Sequence, residues 1–276
     1  MRGAQDARVV PGCQGLFIGA AGPERGFQGL TDMGYDGRGR VSRPLQPNTP
    51  LVRIAMANQD AYQLYAFWRS SATYRVRVAL AIKGLTAEER YIDLDAGDQR
   101  AEDFLKINPL GVIPALIVPG HPPISQSLAI LEYLDETSPT PPLLPSDALG
   151  RARVRSIAAS LAADTHPLVV PRVRRYLTTT GGFDDAAWRA WQIQWFTAGL
   201  QALEKRLATE AGTGTYCHGD SVTIADILLA SIIAVMRVFK IDVADIPTVN
   251  RIMALCETHP TFANANPFRQ AGAPKS

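Results

Sequence analysis

The 276-residue chain is 46% hydrophobic, 20% charged and 8% aromatic, with a mean hydropathy of -0.02 and a formal net charge of +2. No apolar run approaches the roughly 20 residues that span a bilayer, and the apolar fraction is too high for a wholly unfolded chain, which excludes both classes. The surplus charge is confined to residues 1–56, where seven Arg stand against four acidic residues; the remainder holds 21 basic and 22 acidic residues, so bulk charge gives no support to nucleic-acid binding.

At about 100–200 residues per domain the length predicts one or two domains. Residues 1–56 contain ten of the 22 glycines, five prolines and no lysine, with no sustained period of 2 or 3.6, and are expected to form no compact fold. Their longest apolar patch, Leu16-Phe17-Ile18, is interrupted by glycines and too short for the core of a signal peptide. Patterned sequence begins a few residues after Met56, which predicts that Met56 is the initiator and that the preceding 55 residues are an upstream over-read. An Arg/Gly-rich arm that meets RNA or a partner is the alternative.

From Tyr62 the pattern becomes regular. Tyr62-Gln-Leu-Tyr-Ala-Phe67 alternates and is rich in aromatics, as a strand is. After the polar break Arg69-Ser70-Ser71, residues 72–83 place Tyr74, Val78 and Ala81/Ile82 at helical spacing, with Gly84 where a C-cap belongs. A second strand is expected at Arg90–Leu94, a short helix over Asp98–Lys106, a strand pair at Ala115–Val118 and Pro123–Ser125 turning at Gly120, and a helix over Ser125–Glu136. The order β-α-β-α-β-β-α describes a small α/β layer. A stiff connector follows, Ser138-Pro-Thr-Pro-Pro-Leu-Leu-Pro145, and beyond it helical periods over roughly 148–177, 184–210, 223–238 and 248–257 predict an all-α second part. Thr223 with Asp226 three residues on spells a capping box at the start of the third of these helices.

Three openings could carry chemistry. Hydroxyls at Ser70 and Ser71 fall where a strand end meets a helix start, a place that offers free N–H groups and the positive end of the macrodipole to a phosphate, a carboxylate or a thiolate. Taken alone, two serines before a helix are more often a plain N-cap. Pro114, at the entry of a strand, could aim the backbone of Ile113 into a cleft, where its N–H and C=O would pair with an extended peptide-like ligand. Gln126-Ser127 opens another helix. Together they suggest a binder of a small anionic peptide. The three cysteines and four histidines are too scattered for a disulfide framework or a metal site, and the reducing cytosol is the expected compartment. Cys217, Cys256 and the row Trp188, Trp191 and Trp195 are expected to serve packing.

The segments FWRSSATYRVRVALAIKG, NPLGVIPAL, ISQSLAILEYLDETSPTPPLLP and YCHGDSVTIADILLA resemble the glutathione transferase superfamily, specifically its zeta class of maleylacetoacetate and maleylpyruvate isomerases, over about residues 62–270. The resemblance implies a thioredoxin-like glutathione-binding domain over 60–138, a Pro-rich linker over 139–147, an all-helical substrate-binding domain over 148–270, glutathione as cofactor, and a cytoplasmic homodimer. It implies that Ser70 hydrogen-bonds the glutathione sulfur, with Ser71 and Arg75 nearby. Gln99 would lie by the glycine end, Ile113 would hold the cysteinyl backbone before a cis Pro114, and Gln126 and Ser127 would grip the γ-glutamyl carboxylate. His166 would stand at the mouth of the site, and Arg69 and Arg172 would neutralise substrate carboxylate and developing oxyanion. The implied reaction is thiolate addition to an unsaturated diketo acid, rotation about the bond made single, and elimination, in aromatic amino-acid catabolism. The sequence departs from the class at Ala72, where many members have Cys, at Val169-Val170, and at Val238, where an arginine is expected and Arg237 stands one residue earlier. A dehalogenase acting on α-halo acids and a non-catalytic glutathione-binding protein are the alternative functions.

Overall fold

The computed structural model describes residues 61–275; the glycine-rich stretch 1–56 and the expectation about Met56 lie outside them. Strand β1 (Tyr62–Ala66) buries Leu64 and Ala66 on one face, and helix α1 (Ser71–Ile82) follows it. Then come β2 (Ala87–Tyr91), a 3-10 turn (Asp98–Arg100), α2 (Glu102–Ile107), β3 (Ala115–Ile117), β4 (Ile124–Ser125) and α3 (Ser127–Thr137). The sheet order is β2-β1-β3-β4, with β1 parallel to β2 and antiparallel to β3, and β3 antiparallel to β4. This is the expected thioredoxin-like layer.

The second strand begins three residues before the expected position. It is an edge strand whose Glu88, Glu89, Arg90 and Tyr91 face solvent, so charge and not apolar alternation marks it. The apolar Ile92 and Leu94, which suggested the later position, instead pack beyond the strand end against Phe67, Trp68, Phe104 and Ile113.

The connector is pinned to the first layer. Lys83, in the last turn after α1, donates from Nζ to Asp135 at 2.7 Å and to the Pro141 carbonyl at 2.5 Å, while Asp135 also accepts the Leu143 N–H at 2.7 Å. The second part is all-helical: α4 (Ala148–Ala159), α5 (Pro171–Thr179), α6 (Asp185–Thr209), α7 (Ile224–Val238), α8 (Pro247–Thr258) and α9 (Pro260–Asn264). Helix α7 is apolar on all sides and almost wholly buried, as such a helix must be. Its N-terminus carries the expected capping box, Asp226 accepting from the Thr223 N–H and hydroxyl at 2.8 Å each.

The period expected to run over 148–177 is broken into α4, a π turn (Ser160–Thr165), a 3-10 turn (His166–Val169) and α5. Pro167 and Pro171 lack the N–H that a continuous helix needs. The π turn is also pressed by α6: a Cβ at Gly199 would lie 2.3 Å from Thr165 Oγ1, so only glycine allows this approach. One apolar cluster joins the two layers, running from Leu64, Val76 and Leu131 to Ile157, Phe196 and Leu228. Among the described residues no helix is long and apolar enough to cross a membrane, and no group of His, Cys, Asp and Glu has metal-holding geometry.

Candidate active site

The register of the sheet collects the three openings at one end. Tyr65 pairs with Ala115, and Ala115 with Ser125, so the turn after β1, the entry to β3 and the exit of β4 leave the sheet side by side. Ser70, Ile113-Pro114 and Gln126-Ser127 therefore share an edge, and Ala66 paired with Tyr91 brings the chain after β2, with Gln99, to the same end.

Ser70 is the N-cap of α1. Its backbone is extended (φ -70°, ψ 114°) and its Oγ accepts the Thr73 N–H at 3.2 Å. Because the oxygen accepts through a lone pair, the hydroxyl proton is free to donate elsewhere. No acidic residue sits in the first turn, so the positive end of the helix is not neutralised locally. Ser70 is half-buried, whereas Ser71 is 4% exposed and turned into the core, which favours Ser70 over Ser71 as the hydroxyl that meets a ligand. Arg69 is already engaged. It is ion-paired with Asp95 and its guanidinium lies 5.3 Å from the Phe67 ring centroid, 5.5 Å from Trp68 and 5.8 Å from Phe239.

At the second opening the Ile113-Pro114 bond is cis. The Asn108 side chain ties the loop, donating to the Val112 carbonyl at 2.7 Å and accepting the Leu110 N–H at 3.2 Å. The Ile113 N–H and C=O make no backbone hydrogen bond among the described residues and remain available to an extended ligand. Gln99 is buried beside this loop: its carbonyl oxygen lies 2.9 Å from where a Cβ on Gly111 would be, and its side-chain Oε1 has no partner.

At the third opening Gln126 adopts φ 71°, a conformation costing a non-glycine residue about 1–3 kcal/mol, and supplies no side-chain cap to α3. The first turn of α3 has no acidic residue, so its N–H groups face outward unneutralised. Ser127 is buried and its Oγ accepts Nη1 of Arg75 at 3.0 Å. Arg75 itself is 2% exposed, and desolvation pushes its guanidinium pKa down to about 9.

The helical part contributes His166 and Arg172. Half-buried His166 is pushed well below the ordinary imidazole range by burial first, then by the charges of Arg75 and Arg172. Arg172 is exposed and forms no ion pair among the described residues. Because His166 is neutral in the folded chain while an unfolded histidine protonates near 6.5, the unfolded state takes up the extra proton as pH falls and stability drops with it. Melting temperatures recorded from pH 7.5 to 5 should fall more steeply for wild type than for His166→Gln; parallel curves would show that His166 does not titrate this way.

Arg237 does not stand in for an arginine at position 238. It pairs with Glu257, whereas Val238 packs on the cluster of Phe67, Trp68 and Ile113 beside the first opening. Val169 is buried in the core and Val170 precedes α5. Cys217 and Cys256 are fully buried, and burial pushes both thiols up, away from reactivity. Trp188 is buried, and Trp191 holds the 3-10 turn by donating from Nε1 to the Leu168 carbonyl at 2.7 Å. Two residues that matter here had escaped notice in the sequence. Asp95 carried no signal, but Ser231, a lone hydroxyl inside the apolar run of α7, had one: a buried polar group needs a partner, and Arg75 Nε donates to it at 2.8 Å.

A cis proline at the entry of an antiparallel strand, a hydroxyl at the mouth of the first helix and an all-helical second part define a class of thiol-tripeptide enzymes. The Glutathione S-transferase N-terminal domain model matches residues 60–136 and the C-terminal domain model residues 197–260, and the chain belongs to the glutathione S-transferase family. The chain is similar to maleylpyruvate isomerase of Ralstonia sp, 39% identical over 75% of this chain and 98% of the relative. It is also similar to maleylacetoacetate isomerase of Rattus norvegicus, 41% identical over 76% and 94%. Among solved structures, a maleylacetoacetate isomerase from Methylobacterium extorquens AM1 with bound malonate and glutathione superposes with a TM-score of 0.76 at 48% identity, covering 77% of this chain and all of that one. The holo structure of a zeta-class maleylpyruvate isomerase gives 0.74 at 38%, over 77% and 100%.

The groups left unpaired fit glutathione as the family's ligand. Two carboxylates and a peptide backbone ask for N–H donors and a free strand edge, and the site offers the N–H groups opening α3 and the unbonded main chain of Ile113.

Proposed function

We propose that the chain is a glutathione-dependent isomerase that converts a maleyl-type unsaturated diketo acid, maleylacetoacetate or maleylpyruvate, to its trans isomer in aromatic amino-acid catabolism. The observation that carries this is the convergence at one sheet end of Ser70, cis Ile113-Pro114 and Gln126-Ser127. The relatives' named activity supports the same reading. Bound glutathione supplies a thiolate that adds to one carbon of the conjugated double bond and later leaves it. Ser70 donates its hydroxyl proton to the sulfur, and the unneutralised mouth of α1 favours the ionised form. Gln99 lies by the glycine end, Ile113 pairs with the cysteinyl backbone, and Gln126 with Ser127 and Arg75 receives the γ-glutamyl end. Arg172, which forms no ion pair among the described residues, attracts the substrate carboxylate, and His166 stands neutral at the mouth of the site. Arg69 has a lesser part, since Asp95 already offsets its charge. On this reading residues 60–138 bind glutathione, 139–147 link, and 148–270 bind substrate, within a cytoplasmic homodimer of the kind usual for the family.

The ultraviolet band of the cis acid decides the matter. Its decay should require both enzyme and glutathione and should consume none of the latter. A decay indifferent to glutathione would contradict the proposal, and halide release from an α-halo acid without isomerisation would assign a dehalogenase instead.

A further inference from the structure

Arg69 and Asp95 meet at the rim of the first opening. The Arg69 guanidinium, carried one residue before Ser70, donates from Nη2 to Asp95 Oδ1 at 2.5 Å, and the two side chains are 26% and 57% exposed. Three rings hold the guanidinium there: Phe67 and Trp68 from the turn after β1, and Phe239 from the end of α7. Phe239 is itself fixed, because Arg189 of α6 donates to the Phe239 and Lys240 carbonyls and Lys240 turns the chain at φ 52°. A carboxylate on this rim calls for a reason, since the mouth of α1 is otherwise kept free of acids.

The loop that carries Asp95 does not need its carboxylate. Asp93 Oδ1 accepts the Asp95 and Ala96 N–H groups at 2.9 and 3.2 Å, and the Asp93 carbonyl accepts those of Gly97 and Asp98 at 3.0 Å each. The Asp95 side chain takes no part in that network, and its one partner among the described residues is Arg69. A carboxylate that does nothing for its own loop and lies beside an anion site acts through its sign: it subtracts the charge of Arg69 from the field an incoming anion meets. The side facing α7 adds no cation, since Arg237 pairs with Glu257 and Val238 packs its apolar surface on the cluster of Phe67, Trp68 and Ile113. Arg172 at the start of α5 is exposed and keeps its charge for a substrate carboxylate.

We propose that Asp95 is a specificity-determining residue. By cancelling the charge of Arg69 it leaves one carboxylate of the substrate to be recognised by charge, at Arg172, and the far end to be read by fit alone, so that unsaturated diketo acids with one carboxylate and with two are accepted alike. The inference rests on the reading of the chain as an isomerase of maleyl-type acids. Without Asp95 the same guanidinium, still held by the three rings, becomes a second anchor for anions, and the preference narrows to dicarboxylates.

Kinetics of the full-length protein on two substrates separate this role from one in holding the loop. One substrate is maleylacetoacetate; the other is its cis methyl-ketone analogue, in which hydrogen replaces the terminal carboxylate. Wild type should isomerise the two with kcat/KM values within about threefold of each other. Asp95→Asn keeps the loop hydrogen bonds, which run through Asp93, and should raise kcat/KM for the dicarboxylate by about 5–10-fold, mainly through KM, with the methyl ketone changed by about twofold or less. Adding about 0.5 M NaCl should erase most of the gain, because both charges reach solvent. In the double variant Arg69→Gln/Asp95→Asn the gain should vanish. An equal change for both substrates, no change for either, or a gain that survives in the double variant would overturn the proposal, as would a strong wild-type preference for the dicarboxylate. If wild type isomerises neither substrate, the chain is not the proposed isomerase; if it isomerises both and Asp95→Asn leaves their ratio unmoved, the isomerase stands and the role of Asp95 falls.

Discussion

Ser70→Ala should lower the glutathione-dependent isomerisation rate by about 100-fold or more while glutathione still binds, the scale seen when one donor to a developing anion is removed. The hydroxyl sits at the mouth of α1, half-buried, and accepts the Thr73 N–H at 3.2 Å through a lone pair, so its own proton is uncommitted. The same substitution removes an N-cap, which costs about 1 kcal/mol of stability. A cap alone cannot account for the larger loss, because about 1 kcal/mol of stability in a folded protein changes the folded fraction hardly at all. Ser70→Thr separates the two roles, since threonine keeps both the cap and a donor; it should recover most of the rate. An unchanged rate in Ser70→Ala would move the sulfur contact to Ser71 or to backbone amides.

The largest stability effect is expected from Asp226→Ala. Asp226 is fully buried at the start of α7 and accepts the Cys217 N–H at 2.7 Å, and the Thr223 N–H and hydroxyl at 2.8 Å each. Alanine strands two buried amides, each costing about 1–3 kcal/mol when unpaired, so a total loss of about 3–5 kcal/mol is expected. That is a large part of the 5–15 kcal/mol that holds a typical domain, and it corresponds to a melting temperature lower by about 10 °C or more. Burial raises the Asp226 carboxyl pKa while its hydrogen bonds pull it back, so the charge itself contributes little. Asp226→Asn, which keeps one acceptor oxygen, should therefore lie between alanine and wild type. A melting temperature for Asp226→Ala within about 3 °C of wild type would show that the box is ornamental.

Both sites were legible in the sequence because their determinants are local. The hydroxyls of Ser70 and Ser71 abut a helical period, and Thr223 stands three residues before Asp226, so spacing alone identifies a cap. The sheet end that gathers Ser70, Ile113 and Gln126 could be read only in part: order and strand count come from local pattern, but the pairing of Tyr65 with Ala115 is a tertiary fact. Where solvent decides an element, the apolar pattern misleads, as at β2, whose charged edge is invisible to hydrophobic alternation. Where packing decides it, periodicity overruns, as in 148–177, which Pro167, Pro171 and the close approach of Gly199 divide. Arg75 entered the expected site through the resemblance alone, as a neighbour of Ser70. Its burial and its bond to Ser231, 156 residues away, exist only once the two layers meet.

Catalysis requires that the positive, unneutralised mouth of α1 hold a sulfur in its ionised form. The direct measurement is a titration of the glutathione thiol bound to the wild-type protein, followed by thiolate absorbance across pH 5–10. The expected apparent pKa lies at least about one unit below the value near 8.5 of an unperturbed thiol. A bound thiol that loses its proton at the same pH as free glutathione would contradict it.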